Sequence, residues 1–467
     1  MTAMSTHHRL TEPRPLGSER AQSKLLIVAY QFPPLGGVGP QRALSLCRYL
    51  PEYGFEVHVL TPRNGVSHTY DPTLLNRIPS CVQVHRTITP EIPYKLRTTL
   101  WNLLKSSPRT GIQGRSIPPA APGFANLVQK AFFPDPQRAW ALTAVRAGVR
   151  MIRKHAIGTV LVTAPPFSSL LIGVELKRRC PGIRLISDFR DEWLEFYIGD
   201  VSAGTSSTAR SQAGNAQSRI VRESDVVVAV TPSSLERIRA HSPSEPESKF
   251  AYIPNGYDTE LTPSGLGTQN SRQGAAVLAS PRLPQEKLVV TYLGTVYKPN
   301  SPAAYLDALD RLPEEIRSRF ETRFIGRIDP DMDGIFQNRR SSIRLLDFMP
   351  QAEALRYLVD SDYVLAAMLN GQTVVAKIYE YLAANRPILA VTPSRGEVAR
   401  LIRETRAGWS AAPDHPESVE SMLRSAYAAW LERRPFQPDR IAIKRYDRRQ
   451  LAGEFAEIML RGEGSVI

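Results

Sequence analysis

The sequence has few of the residues that build metal centres and disulfide frameworks. Only three of its 467 residues are cysteine, Cys47, Cys81 and Cys180. Their spacing fits neither a zinc site nor a set of disulfides, so we expect a chain without a bound metal in a reducing cytoplasm. No apolar run approaches the ~20 residues that a membrane-spanning helix needs. Residues 1–23 also lack the apolar segment of a secretory signal, which predicts a disordered tail.

Motifs for nucleic-acid binding are absent too, although the chain is basic. It has 59 Lys and Arg against 45 Asp and Glu, a net charge of +14. This charge favours nucleic acid, an anionic membrane surface or phosphorylated small molecules as partners. Because there is no zinc-finger spacing and no aromatic-rich RNA-binding signature, we expect no nucleic acid. A hydrophobic fraction of 42% and a charged fraction of 22% are typical of a globular protein, and the length predicts two or three domains.

Short apolar runs alternate with longer amphipathic stretches along the chain. The predicted strands are 24–30, 56–62, 159–166, 183–189, 225–232, 287–294, 321–327, 343–349, 363–368 and 387–393. Because these runs are β-branched and nearly continuously apolar, they indicate parallel strands covered by helices on both faces. The sequence therefore predicts an α/β fold with two Rossmann-like, doubly wound domains.

A segment rich in Ser, Gly, Ala and Pro separates the two series of strands and predicts a linker at 261–285. The N-terminal domain then covers 24–260 and includes a long insertion at 89–140. The C-terminal domain covers 286–435, and 436–467 predict a final helix.

Three glycines follow the first predicted strand, in the segment FPPLGGVGPQR. The dinucleotide-binding fingerprint fails here because Arg42 follows Gly39 by three residues, and no loop ending in Gly-Lys-Ser/Thr is present. A glycine-rich turn beyond a parallel strand lets backbone N–H groups approach a ligand closely. The same glycines also suit a tight turn with positive φ and no ligand. Both interpretations remain open from the residues alone.

A second informative segment is GQTVVAKIYEYLAANRP, residues 371–387, which predicts a helix over 374–384 followed by a strand. Lys377 and Glu380 are three residues apart and therefore share one face of this helix. A carboxylate can accept hydrogen bonds from two ribose hydroxyls, and a lysine or free helix amides can neutralise a diphosphate. The alternative is an ordinary surface pair of opposite charges.

This helix resembles the donor-binding helix of GT-B glycosyltransferases of the family 4 type, where a K-[IL]-Y-E-Y-[LM]-A-x-x-[RK]-P run carries the glutamate that binds the nucleotide ribose. The start of the chain, YQFPPLGG and the helix after it, resembles the first βαβ unit of that family. Further similar segments occur in the expected order: PDPQRAW (134–140), DFRDEW (188–193), VVAVTPSSLERI (227–238), IPNGYD (253–258) and YLGTVYKPNSP (292–302). The resemblance covers nearly all of 24–435.

The resemblance implies a retaining glycosyltransferase of the hexosyltransferase type, with a nucleotide-diphosphate sugar as substrate and neither metal nor cofactor. The residues it assigns to donor binding are Gly36, Gly37, Lys298, Lys377, Glu380, Gln372 and Thr373. It gives catalytic roles to Asp191 and Gly37, both expected in an interdomain cleft. Asp191 alternatively pairs with Arg190 or Arg138. Arg42 either faces the diphosphate or forms a structural salt bridge.

Two positions depart from the family pattern. Gln372 stands where a glutamate often contacts the sugar, and Thr295 follows Gly294 where an arginine is usual. These changes leave Lys298 and Lys377 as the expected cations, together with Arg327. They are the support for one alternative, a non-catalytic scaffold that binds sugar nucleotides at the membrane. A second alternative is a nucleotide-sugar epimerase, although none of the eight histidines lies in a motif assigned to the cleft.

The acceptor side is predicted from charge and amphipathicity. Residues 94–115 place leucines and Trp101 beside five basic residues, a pattern that suits a helix on an anionic membrane surface. The same pattern suits a helix packed on the first domain with a solvated basic edge. By family resemblance, the acceptor is expected to be lipid-linked or a polysaccharide, and the protein cytoplasmic and peripheral on the inner face of the cell membrane.

Overall fold

The computed structural model describes residues 22–67, 69–91, 133–194, 207–259, 286–349 and 351–461. They form two compact units. The first contains the described parts of Met1–Val230, Leu235–Ile253 and Ala452–Ile467, and the second those of Thr231–Ser234 and Pro254–Leu451. The basic segment 94–115 and the predicted linker 261–285 lie outside the described residues, as does the predicted tail up to residue 21. Among the described residues, no helix is both long enough and apolar enough to span a membrane.

Each unit is built on one sheet in which every strand pair is parallel. The first unit contains β1 Ser23–Ala29, β2 Phe55–Pro62, β3 Gln83–Thr87, β4 Thr159–Ala164, β5 Arg184–Phe189, β6 Val226–Ala229 and β7 Phe250–Tyr252. The second contains β8 Leu288–Leu293, β9 Phe320–Ile325, β10 Ser342–Leu346, β11 Tyr363–Ala367, β12 Ile388–Val391 and β13 Gly408–Ala411.

Helices connect the strands and cover the sheets. They are α1 Gln41–Tyr49, α2 Ala141–His155, α3 Ser168–Arg179, α4 Ser207–Glu223, α5 Pro232–Ala240, α6 Ala303–Arg311, α7 Glu314–Arg317, α8 Gln351–Val359, α9 Ala376–Ala383, α10 Glu397–Thr405, α11 Pro416–Leu431, α12 Arg440–Lys444 and α13 Arg448–Leu460. The central strands are buried on both sides, which accounts for their continuous apolar sequence. The described part of the segment 436–467 thus contains two helices, where one was predicted, and Asp439 caps the first by accepting hydrogen bonds from the amides of Ile441 and Ala442.

All ten strands predicted from the sequence are present, and the structure adds β3, β7 and β13. These three lie at sheet edges, where one side of a strand has no neighbour. β3 has the polar sequence QVHRT, and four of its five residues are only partly buried. Edge strands need no continuous apolar run, so the pattern that identifies central strands does not detect them. The predicted α/β fold with two parallel sheets is confirmed.

The strand orders locate the positions where ligands are expected. The first sheet has the order β3-β2-β1-β4-β5-β6-β7 and the second β10-β9-β8-β11-β12-β13. The chain therefore reverses its winding direction between β1 and β4 and again between β8 and β11. In open parallel sheets, ligands bind beyond the carboxyl ends of strands at such switch points.

Candidate functional site

Two loops meet at the switch point of the second sheet, one after β8 and one after β11. The backbone N–H of Leu369, in the second loop, donates a hydrogen bond of 2.9 Å to the carbonyl of Pro299 in the first. The second loop leads into α9, whose first turn is preceded by Val375 in an extended conformation. The amino end of α9 therefore opens at the position where the topology predicts a ligand, and its first N–H groups favour an anion.

Lys377, the second residue of α9, has an unusual environment. Its Nζ lies 3.6 Å from the centroid of the Tyr292 ring, on β8. The side chain is partly exposed as a whole, but Nζ itself is buried and has no hydrogen-bond partner among the described residues. Burial lowers the pKa of the ammonium to about 7, and the nearby charge of Glu380 acts in the opposite direction. The aromatic face compensates only part of the lost hydration, so an anionic partner would stabilise this group.

Tyr292 is fixed in place by its surroundings. The ring is fully buried, and its hydroxyl donates a hydrogen bond of 2.9 Å to the carbonyl of Thr295. Next to it, the backbone N–H of Leu293 donates to the hydroxyl of Tyr381 in α9 at 2.9 Å. The end of β8 and α9 are therefore held together around Lys377. Tyr292 was not predicted as a site residue, because within an apolar strand it has no signal that separates it from a core residue.

Two glycines bring backbone close to this lysine. Gly294 and Gly326 follow β8 and β9 and have φ of +119° and +131°. A Cβ on Gly326 would lie 2.6 Å from the carbonyl oxygen of Gly294, which excludes any side chain there without movement. A Cβ on Gly294 would lie 4.0 Å from the Nζ of Lys377. Bare backbone thus lines the approach to the ammonium, as a phosphate-binding position requires.

The other residues predicted to bind the donor through the second unit lie on the same two loops and on α9. Lys298 is exposed and begins a short 3₁₀ turn, Lys298–Asn300, after β8. Gln372 and Thr373 are partly buried in the loop before α9, where the N–H of Gln372 donates to Asn370 Oδ1 at 2.7 Å. Glu380 lies one turn after Lys377 and is partly buried. The fold brings these residues to one edge of the second sheet, and their contacts with a donor remain predictions.

Comparison with known families identifies the first unit. Residues 36–256 match the family model described as "Glycosyl transferase 4-like domain". This region is similar to the glycosyl transferase 4-like family, and the match covers slightly less than half of the chain. The resemblance inferred from the motifs is therefore confirmed at the level of the family.

One curated relative also matches part of the chain. The probable glycosyltransferase WbjE of Pseudomonas aeruginosa is 30% identical over 90 residues, which are 19% of this chain and 22% of the relative. The chain thus matches about a fifth of the length of that relative.

Solved structures extend the likeness in fold to almost the whole chain. The crystal structure of Anabaena Alr3699/HepE in complex with UDP and glucose is 14% identical, with a TM-score of 0.57, and the match covers 94% of this chain and 100% of that one. WaaG, a glycosyltransferase involved in lipopolysaccharide biosynthesis, is 14% identical with a TM-score of 0.55, covering 93% and 99%. These likenesses show that the chain has the GT-B fold.

In the glycosyl transferase 4-like region, the glycine turn after β1 shows two different environments. Gly36 is buried, and its N–H donates a hydrogen bond of 2.9 Å to the carbonyl of Thr69. A Cβ on Gly36 would lie 3.0 Å from Thr69 Cγ2 and 3.2 Å from the backbone nitrogen of Asp71. Gly37 is exposed and has a φ of +80°. Gly36 is therefore favoured by close packing within its own unit, whereas Gly37 is solvent-exposed and its positive φ favours glycine.

The two interpretations of Arg42 are resolved by its contacts. Its Nε donates to Asp188 Oδ2 at 3.0 Å, and one terminal nitrogen donates to Asp188 Oδ1 and to the carbonyl of Ile253, both at 2.9 Å. Thr163 donates a further hydrogen bond of 2.8 Å to the same carboxylate. Arg42 and Asp188 are both buried. Arg42 therefore forms the structural salt bridge and does not face a diphosphate.

Asp191 lies just beyond the carboxyl end of β5 and is partly buried. Burial raises the pKa of its carboxyl, and the charge of Arg190 opposes that rise. Arg190 donates its hydrogen bonds to the carbonyl of Gly39 and, at 2.8 Å, to Gln31 Oε1. Within the part of the chain that the structure describes, no hydrogen bond pairs Asp191 with Arg190 or Arg138. Its catalytic role remains a prediction.

Proposed function

We propose that the protein is a glycosyltransferase that takes a sugar from a nucleotide-diphosphate donor and transfers it, with retention, to a lipid-linked or polysaccharide acceptor. The observation that carries this proposal is the buried Nζ of Lys377, which has no hydrogen-bond partner among the described residues and lies at the switch point of the second sheet. Burying an ammonium without a hydrogen-bond partner costs free energy of folding, unless a ligand supplies an anion that pairs with it.

The donor diphosphate satisfies each feature of this position. Its oxygens would accept hydrogen bonds from Lys377 and from the first amides of α9, and the bare backbone of Gly294 would permit their approach. In sugar transfer, the protein must stabilise the charge that develops on the departing nucleoside diphosphate. Fixed cations and helix amides supply that stabilisation without a covalent step.

Glu380 and Gln372 are assigned to the rest of the donor. Glu380 lies on the same face of α9, and its carboxylate would accept hydrogen bonds from the ribose hydroxyls. The amide of Gln372 would hydrogen-bond the sugar, without the negative charge that a glutamate brings. Lys298 supplies a second, exposed cation on the facing loop. A UDP-sugar is the first donor to test, because the Anabaena protein of the same fold crystallised as a complex with UDP and glucose.

The acceptor is assigned to the first unit. Gly37 and Asp191 both follow strands at the carboxyl edge of its sheet, and Asp191 is the acidic side chain proposed to contact the acceptor. A lipid-linked acceptor at the inner face of the membrane agrees with the net charge of +14. The involvement of WaaG, a protein of the same fold, in lipopolysaccharide biosynthesis supports the same class of acceptor.

The test is a binding and turnover experiment on the full chain. Thermal unfolding is measured with UDP-, GDP-, ADP- and dTDP-sugars for the wild type, Lys377→Met and the control Lys287→Met. Lys287 is exposed at the opposite end of β8, so its loss should leave binding unchanged. We expect one nucleotide class to raise Tm in the wild type and the control but not in Lys377→Met. Equal shifts in all three proteins would refute the site, and binding without transfer to any lipid-linked acceptor would favour the scaffold alternative.

A further inference from the structure

Three histidines that are far apart in the sequence lie together in the first unit. His58 is on β2, His85 is on the neighbouring edge strand β3, and His155 is the last residue of α2. In the sheet register His58 is opposite Gln83 and His85 is opposite Leu60, so the two histidines share one face two positions apart. The ring centroids are 5.8 Å apart for His58 and His85, 4.5 Å for His58 and His155, and 6.0 Å for His85 and His155.

One ring nitrogen from each of the three histidines lies close to the others. One nitrogen from each ring can be chosen so that all three lie within 4.8 Å of one another. Nδ1 of His58 and Nε2 of His85 are buried and have no hydrogen-bond partner among the described residues. Native proteins rarely leave such groups unsatisfied without a reason, so these two nitrogens indicate a missing ligand.

Glu56 determines which nitrogen of His58 is available. The Glu56 Oε1 lies 3.0 Å from Nε2 of His58. Because a carboxylate can only accept a hydrogen bond, the proton of this imidazole lies on Nε2 and the lone pair on Nδ1. A carboxylate that holds the far side of an imidazole in this way is the usual second partner of a metal-bound histidine.

The electrostatics favour the neutral form of His58 and His85, which is the form that binds a metal ion. Burial lowers the pKa of both His58 and His85, and the neighbouring rings add to the effect. Lys24 also lowers the pKa of His58, and Lys154 lowers that of His85. Both lysines would repel a bound cation, whereas Glu56 would attract it. A neutral imidazole can offer its lone pair without first losing a proton.

We propose that His58, His85 and His155 bind one divalent transition-metal ion, with Zn²⁺ the ion best matched to three imidazoles. Metal–nitrogen distances of about 2.0–2.1 Å require the three nitrogens to approach more closely. The rings of His85 and His155 are only partly buried, so they can rotate to do so. The ion would link edge strand β3 and the end of α2 to β2. This site is independent of the proposed donor site.

The test uses full-length protein without a polyhistidine tag, carrying His7→Gln and His8→Gln to remove the paired histidines near the N-terminus. After treatment with a chelator, Zn²⁺ is titrated calorimetrically, and the bound metal is counted by mass spectrometry. We expect one Zn²⁺ per chain and a rise in Tm that a chelator reverses. His85→Gln and His155→Gln should each weaken binding at least about tenfold, and Glu56→Gln should do so by about 10–100-fold.

His241→Gln is the matched control, since His241 is exposed and lies outside the cluster. It should bind Zn²⁺ as the parent protein does. Circular dichroism identifies any variant that fails to fold. His85 and His155 are chosen for the main comparison because they are only partly buried, so their substitution should disturb the fold less than that of His58. Absence of stoichiometric Zn²⁺ in the parent protein would overturn the proposal. Unchanged affinity in a folded His85→Gln, His155→Gln double variant would overturn it as well.

Discussion

Arg42 and Asp188 form a buried bidentate ion pair that joins α1 to β5, although 146 residues separate them in the sequence. The carboxylate also accepts a hydrogen bond from Thr163, and the guanidinium lies 5.0 Å from the ring centroid of Phe455 in α13. Four elements of the first unit are thus anchored to one pair of charges. Because both groups are buried, neither tolerates the loss of the other.

Asp188→Asn should therefore strongly destabilise the first unit. The substitution leaves the Arg42 guanidinium buried without a counter-charge, which costs roughly 3–5 kcal/mol in comparable pairs. Urea unfolding, followed by a probe in the first unit, measures the change in the free energy of unfolding. The double variant Arg42→Met, Asp188→Leu should recover part of the loss. A cost below about 1 kcal/mol for the single variant would show that the pair is not the anchor inferred from its contacts.

Lys377→Met should change stability and binding in opposite directions. Removing an ammonium that is buried over Tyr292 without a hydrogen bond should raise the Tm of the ligand-free protein by a few degrees, since a ΔΔG of ~1 kcal/mol shifts Tm by about 2–4 °C in a domain of this size. The same change should abolish the rise in Tm that a nucleotide sugar causes. Thermal unfolding with and without ligand measures both effects. A lower Tm for the ligand-free variant would contradict the assignment of Lys377 to ligand binding.

The affinity for a nucleotide sugar should fall as the pH rises through about 7. Burial sets the pKa of Lys377 to about 7 in the ligand-free protein, and only the ammonium form attracts the diphosphate. Above that pH, deprotonation competes with binding, so Kd should rise by up to tenfold for each pH unit. Calorimetry with UDP-glucose between pH 6 and 9 tests this, because its diphosphate does not titrate in that range. Lys377→Met should show no such dependence.

The lowered pKa of Lys377 also predicts how stability depends on pH. The unfolded chain holds this proton up to a pKa near the ordinary lysine value of 10.5, whereas the folded protein releases it near 7. Between these values the unfolded state binds more protons, so the contribution of Lys377 to stability rises with pH. The difference between wild type and Lys377→Met in urea unfolding should therefore shrink from pH 7 to pH 9. A constant difference would argue against a perturbed lysine.

Asp191→Asn should separate catalysis from donor binding. If Asp191 contacts the acceptor, kcat should fall by about 10²-fold or more while the Kd for the nucleotide sugar stays within about twofold. The acidic limb of the wild-type rate profile should lie above the ordinary aspartate pKa of 3.8, because burial raises the pKa of this carboxyl. That limb should disappear in the variant. Steady-state kinetics with a lipid-linked acceptor test both statements, and an equal loss of donor affinity would reassign Asp191 to the donor.

Gly326→Ala should disturb the donor site through the backbone. Its Cβ would lie 2.6 Å from the carbonyl oxygen of Gly294, at a φ of +131°, so the ends of β8 and β9 must separate. We expect a loss of roughly 1–3 kcal/mol in stability and weaker nucleotide binding. Gly334→Ala is the control, because nothing lies within 4 Å of its Cβ position. Similar behaviour of the two variants in urea unfolding and calorimetry would refute the role given to Gly326.

The sequence by itself determined the class of fold, ten of the strands and the resemblance to a family. Buried parallel strands need uninterrupted apolar side chains, and the run LLIVA in β1 shows this pattern within the strand itself. The K-I-Y-E-Y-L-A run likewise places Lys377 and Glu380 on one helical face without reference to any other element. Both patterns involve only residues that are close together in the sequence, so they can be recognised in a single sequence.

Only the tertiary structure decided which distant residues meet. Arg42 had two open interpretations until the sheet order brought Asp188 to it, and Tyr292 was an ordinary strand residue until α9 placed Lys377 over its ring. His58, His85 and His155 fit no motif, because their convergence depends on strand register and on where α2 ends. Periodicity encodes which face of an element is buried. The partner on that face is set by packing between elements, which no local pattern records.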